Sequence, residues 1–314
     1  MNVRIACIRR AGRLAPALVL TVGLALAAGC SGGDPPQNNN NVNNTSDRCP
    51  AGYLLVPKGT FTMGVDAEDL AGLDITWSPE MGPAHRVTLT ADFCMSKTEV
   101  TVAEYRQCRS TGACTGEGPW PVEQDDRCNF SETDHSRDSH PVNCLTYEQA
   151  REHCQAQGGD LPTEAQWIRA AQGDDRRHFA WGGSEPDCSH ANYDANGSGG
   201  TEPNGLGCAE TQTPPFTWAT GSAPAGASPY GLVDMTGNVA EYVHGCGAWF
   251  QACDGELGCV DPQPTGCDGD PYRLSLGGSA STYRLNLFSF LRGADTYDRS
   301  PDVGMRCVQA PKNR

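Results

Sequence analysis

Cysteine offers this chain its richest chemistry: sixteen occur in 314 residues. Cys7 lies in a leader-like start and Cys30 directly after it, which leaves an even number for pairing. No C-x-x-C pair occurs, so the spacing supplies neither a zinc ribbon nor a thioredoxin-type redox site. Cross-linking of an exported chain is the chemistry expected instead. Proximity in sequence suggests Cys108 with Cys114, Cys128 with Cys144 and Cys188 with Cys208, and reads Cys246, Cys253, Cys259 and Cys267 as two local bridges. The histidines show no H-x-x-x-H or H-E-x-x-H spacing; His135 and His140 are read as solvated. Within the domain there is no G-x-S-x-G elbow and no phosphate-binding glycine loop. Acids such as Asp125, Asp126, Asp254 and Asp268 are read as exposed loop charge.

Three helix starts are written in the sequence. Thr101 with Glu104, Thr146 with Gln149 and Thr163 with Gln166 each place a capping hydroxyl three residues before an acid or amide that reaches back. The second helix should turn Tyr147, Ala150 and Cys154 to one face and stop at Gly158-Gly159; the third should bury Trp167, Ala170 and Ala171 and stop at Gly173. Val56 to Gly64 alternates around glycines and reads as a hairpin, and His85 to Thr90 as a strand. Beyond Gly173 the chain is glycine-rich with little helical period, so this half is expected to be loop held by short strands, disulfides or ions.

The ends carry a different message. Basic residues Arg4, Arg9, Arg10 and Arg13 precede an apolar run from Leu14 to Ala28, the order of a secretory leader. Leu26-Ala27-Ala28-Gly29-Cys30 resembles a lipobox, so residues 1–29 are expected to be a lipoprotein signal peptide and Cys30 the lipidated residue. Ser31 after it points to the outer membrane of the cell envelope. Residues 30–48 form an Asn/Pro/Gly-rich tether that cannot bury enough surface to fold, residues 49–310 a single domain and 311–314 a tail. The formal net charge of -15 argues against nucleic acid, which needs a basic face; membrane contact is expected through the lipid alone.

Five segments in order then carry a family resemblance: Phe61 to Gly64; Lys97-Thr98-Glu99-Val100-Thr101; His140-Pro141-Val142-Asn143 leading to Leu161-Pro162-Thr163-Glu164-Ala165-Gln166-Trp167; Tyr230 through Gly237-Asn238-Val239-Ala240-Glu241; and Leu276-Gly277-Gly278-Ser279 through Gly304-Met305-Arg306-Cys307. Together they resemble the formylglycine-generating enzyme, or sulfatase-modifying factor, family. The resemblance implies an α+β, C-type-lectin-like fold with low regular secondary structure, here disulfide-rich, and a bridge from Cys154 to Cys307.

It also implies a site question. Family enzymes oxidise a substrate cysteine to formylglycine with copper held by two cysteines shortly after G-G-S. Here Thr282 and Leu287 stand at those positions, and neither can replace a thiolate for a soft ion, so copper and formylglycine synthesis are not expected. Ser279 is retained and read as structural. In the family the G-N-x-W-E segment binds calcium, which implies Asn238, the carbonyl of Val239 and Glu241 as ligands, with Asn192 opening a second site; Ala240 and Tyr242 replace the usual tryptophans. The function expected is a surface or periplasm-facing binding module for a peptide or protein partner of the envelope, or a glycan. The alternatives are a divergent formylglycine-generating oxidase and a structural component of an envelope complex.

Overall fold

The computed structural model describes residues 46–73, 81–194, 208, 216–246, 258–263, 272–295 and 299–312. All of them belong to one compact unit, Asn43–Arg314. The leader, Cys30, most of the tether, Cys253 and Cys267 lie outside the described residues. Among the described residues no helix is long and apolar enough to cross a membrane.

The three helices form where the capping threonines stand: α1 is Val102–Ser110, α2 Tyr147–Ala156 and α3 Glu164–Gln172. In each, the Thr hydroxyl accepts from the backbone N–H three residues on while that residue's side chain accepts from the Thr N–H, which satisfies two donors a bare helix start leaves open. α3 ends at Gly173 with φ 68°, a conformation that favours glycine. Its Trp167, Ala170 and Ala171 are wholly buried; Trp167→Ala would cost about 3–5 kcal/mol.

Among the described residues ten short strands build three sheets. β1 (Tyr53–Val56), β4 (Phe93–Ser96) and β10 (Val308–Gln309) form one, with β4 central; β2 (Gly59–Met63), β3 (His85–Leu89) and β6 (Cys259–Val260) form the second. The third runs in the order β8 (Arg292–Asp295), β7 (Arg273–Leu276), β5 (Ala240–Cys246), β9 (Val303–Gly304). The expected hairpin across Pro57 is absent. β1 and β2 leave that turn for different partners, β1 pairing with β4 and β2 with β3, because their apolar residues belong to different sheets.

α3 packs on β2, β3 and β5 around Trp167, Val87 and Leu274, whereas α1 and α2 enclose a second core around Tyr105, Leu145 and Met305. A third, aromatic core joins Phe179, Phe288 and Phe290. Five complete disulfides lie among the described residues. Cys154–Cys307, Cys108–Cys114, Cys128–Cys144 and Cys188–Cys208 are the pairs named above; Cys49–Cys94, which fastens the start of the domain to β4, is the one that was not anticipated. Cys259 is also bridged.

Candidate functional site

Successive side chains of a strand point to opposite faces, and at β5 those faces are two different environments. Ala240 lines an open cleft. Glu241, next in the chain, turns inward and is 1 % exposed. The positions that matter are set by the turn before β5, where Asp234 and Asn238 hold φ of 58° and 63°, a left-handed region that Asn and Asp enter more readily than most residues.

On the inner face Glu241 Oε2 accepts from Arg306 Nε at 2.5 Å and from Trp167 Nε1 at 2.6 Å. Arg306 is wholly buried and donates its remaining N–H groups to the carbonyls of Val233, Ser96 and Lys97. Glu99 accepts from Asn238 Nδ2 at 2.8 Å and from the Val239 N–H at 3.1 Å, and Asp234 accepts from the Gly221 N–H at 2.5 Å. Three buried carboxylates thus surround one guanidinium. Burial pushes the Glu99 carboxyl well above its ordinary range, and the neighbouring Asp234 and Glu241 push it further; burial raises Asp234 too. For Arg306 burial works downward, but the Glu241 carboxylate outweighs it and the guanidinium stays firmly charged. Removing charges from water is costly unless they are paired, so the charge balance of this centre favours a further positive charge, a proton or a cation.

The residues expected to bind calcium all lie here, with unequal freedom. Asn238 Oδ1 accepts from the Trp218 N–H at 2.7 Å and from Asn192 Nδ2 at 3.4 Å, while its Nδ2 serves Glu99. Its side chain is spent on the protein. Glu241 Oε1 and Asn192 Oδ1, by contrast, are buried oxygens without a hydrogen-bond partner in the protein. Glu241 is therefore neither exposed nor wholly committed.

On the outer face is a cleft of about 530 Å³ whose wall includes Ser275, Gly278, Ser279, Thr282, Arg292 and Asp302. Ser279 ties it together: its Oγ donates to Asp302 Oδ1 at 2.8 Å, its N–H donates to Thr282 Oγ1 at 2.8 Å, and its Oγ accepts from the Ser281 N–H at 3.1 Å. At 3 % exposure it is a fastener between the glycine turn and the Ser300–Val303 segment. Gly278 has φ 69°, and a Cβ there would meet Leu287 Cδ2 at 2.9 Å and Thr282 Cγ2 at 3.0 Å. The two positions at which the resemblance would require copper thiolates therefore both pack against Gly278, one filled by a threonine whose hydroxyl is bound to Ser279 and the other by a leucine. Leu287 is wholly buried in the aromatic core. Copper does not fit this donor set.

Arg292 crosses from the cleft to the first turn of α3, with its Nε 2.7 Å from Glu164 Oε1. Burial raises the Glu164 carboxyl and Arg292 opposes that rise. Asp302, Asn286 and Arg292 were not singled out in the sequence; each sits outside the glycine motifs, and only the fold brings them to the same wall. The histidines differ from each other as well. His135 is exposed beside Asp138, but His140 is half-buried, hydrogen-bonded to Thr217 Oγ1 at 3.0 Å, and burial lowers its pKa, which corrects its reading as a solvated residue. Asp125 is chelated by Arg127.

With this geometry in place, the chain can be set beside known proteins. It is 29% identical over 212 residues to the hercynine oxygenase of Mycolicibacterium smegmatis, covering 60% of this chain and 44% of that protein. It is 27% identical over 303 residues to the formylglycine-generating enzyme of Bos taurus, covering 82% and 75%. Among solved structures, PvdO from Pseudomonas aeruginosa superposes with a TM-score of 0.59 at 21% identity, over 82% of this chain and 94% of that one. CarF superposes with a TM-score of 0.51 at 18% identity, over 84% and 99%. These structures share the fold, an α+β, C-type-lectin-like architecture rich in loops. The profile of the Sulfatase-modifying factor enzyme 1-like domain matches residues 39–311, and the chain belongs to that family.

Proposed function

We propose that the domain is a binding module that has kept the family's cleft and lost its copper oxidase chemistry. The observation that carries this reading is the pair Thr282 and Leu287 packed against Gly278, which puts a hydroxyl already bound to Ser279 and a buried isobutyl group where two thiolates would be needed. What the cleft offers instead is hydroxyls, the Asp302 carboxylate and an Arg292–Glu164 pair, groups that orient a peptide or protein segment, or a glycan, by hydrogen bonds. The leader and Cys30 support a lipid-anchored position in the cell envelope, with the ligand an envelope partner.

Calcium belongs to the same proposal as a structural ion. Asn192 Oδ1 would open a second site, and Glu241 Oε1 with the Val239 carbonyl would hold the first ion, since hard oxygens beside excess negative charge suit calcium, where it would supply the positive charge that the Arg306 centre lacks. It takes no part in any step at the cleft.

The enzyme reading is favoured by the relatives, formylglycine-generating enzymes and hercynine oxygenases. One experiment separates the two: incubate the protein with monovalent copper, oxygen and a cysteine-containing sulfatase-type peptide, and follow peptide mass. A bound but unchanged peptide is the expected result; product in excess of protein would overturn the binding reading. Stable recovery in a large envelope assembly would favour a structural component instead.

A further inference from the structure

Away from the cleft and from Arg306, one group of three metal-donor side chains is found among the described residues: Cys108, Cys114 and His153, whose donor atoms all lie within 4.8 Å of one another. Cys108 is in the last turn of α1 and His153 in the last turn of α2. Cys114 follows a tight turn at Gly112, where φ is 75°. The two sulfurs are bridged in this structure, and Cys114 Sγ lies 3.9 Å from His153 Nδ1. His153 is 3 % exposed and stacks on Tyr105 at 5.6 Å. Its Nδ1 faces the Cys114 sulfur, and a neutral imidazole offers that nitrogen's lone pair to a metal.

We propose that Cys108, Cys114 and His153 form a redox-gated zinc site, closed as a disulfide under oxidising conditions and open to one Zn²⁺ when reduced. A dithiol reductant delivers two electrons and two protons; the S–S bond breaks and the reductant departs as its own disulfide. The two thiols then release their protons as they bind the ion together with His153 Nδ1, and a water completes the usual four-coordinate shell. Charge selects the ion. Two thiolates and a divalent cation sum to zero, the condition a buried site imposes, whereas a monovalent soft ion would leave a buried net negative charge. The bridge closes a separation of only six residues, and Gly112 within it gives the sulfurs freedom to part. Among the described residues, the four other complete bridges have no histidine forming such a group.

The test uses the full chain, reduced with a dithiol, with Zn²⁺ alone as the probe and alkylation of each cysteine mapped by mass spectrometry. Zinc should shield Cys108 and Cys114 by at least about tenfold in rate and leave the remaining thiols unchanged. Co²⁺ in its place should give a thiolate charge-transfer band. In C108S/C114S the zinc stoichiometry should fall by one, and in His153→Gln, whose oxidised form can be checked for folding by circular dichroism, the shielding should drop while both cysteines stay present. Equal shielding in wild type and His153→Gln, or unchanged stoichiometry in C108S/C114S, would overturn the proposal. Oxidised protein should bind no zinc at these residues.

Discussion

On the inner face of β5 most polar atoms are committed to one another, and on the outer face Ser279 is fastened to Asp302 and Thr282 while Asp302 and Arg292 stay partly exposed. Glu241, Arg306, Glu99 and Asn238 exchange hydrogen bonds in a space closed to water. One residue away, Ala240 looks onto hydroxyls and a half-buried Asp302. A charge removed from water must be answered by the protein, so the inner face organises the fold. A carboxylate or hydroxyl in a cleft can be answered by whatever enters, so the outer face is where binding can be altered without loss of structure.

That contrast is breakable. The largest effect is expected from Arg306→Met, which leaves the buried Glu241 without its ion-pair partner and should lower the unfolding free energy by about 3–5 kcal/mol in a urea titration. Arg306→Lys should recover little, because an ammonium cannot serve Glu241 and three carbonyls with the same fork. A loss under about 1 kcal/mol would mean that the inner face is not organised by this charge.

Next comes calcium. Against chelator, an ion concentration about a hundredfold above its dissociation constant should stabilise the chain by about 2.7 kcal/mol, and Glu241→Gln should abolish the increment. An identical melting temperature with and without chelator would remove the ion from the account.

The pH response in chelator is expected to be smaller still. Folded Glu99 holds its proton more tightly than the unfolded chain does, so its contribution is fully present below its ordinary value of 4.5 and is lost as pH rises through its folded value. Glu99→Gln should remove that decline across the same window; an unchanged slope would assign it elsewhere.

The smallest effect belongs to the cleft. Asp302→Asn keeps an acceptor for Ser279 and should shift stability by no more than about 1 kcal/mol, yet it should change capture of the sulfatase-type peptide on immobilised protein. If it unfolds the chain while leaving capture intact, the assignment of the two faces is reversed.

The sequence disclosed what is local. Capping boxes placed all three helices, since both halves of each box lie within four residues and the chemistry is self-contained. The family segments pointed to Glu241, Asn238 and Asn192, and the terminal motif contained Arg306. What could not be read was which of these touch. Asn238 is a plausible ligand by its type, but its amide is consumed by Glu99 and Trp218, residues far from it in the chain. The apparent hairpin at Pro57 failed for the same reason: alternation reports which side of a strand is apolar, not which strand it will meet. Cys49–Cys94 bridges 45 residues, a pairing that spacing does not select.

Arg306 touches carbonyls from Ser96, Lys97 and Val233 and a carboxylate from Glu241, so this buried cation joins three remote stretches of chain. Contacts that distant are slow to form, and until they do the carboxylates that await the guanidinium gain more from water than from each other. Closing this part of the core without Arg306 in place would bury the Glu241 carboxylate with no partner for its charge, which is costly. The same residue that stabilises the finished domain thus couples the closing of its core to the return of the last strands, β9 beside β5 and β10 beside β4.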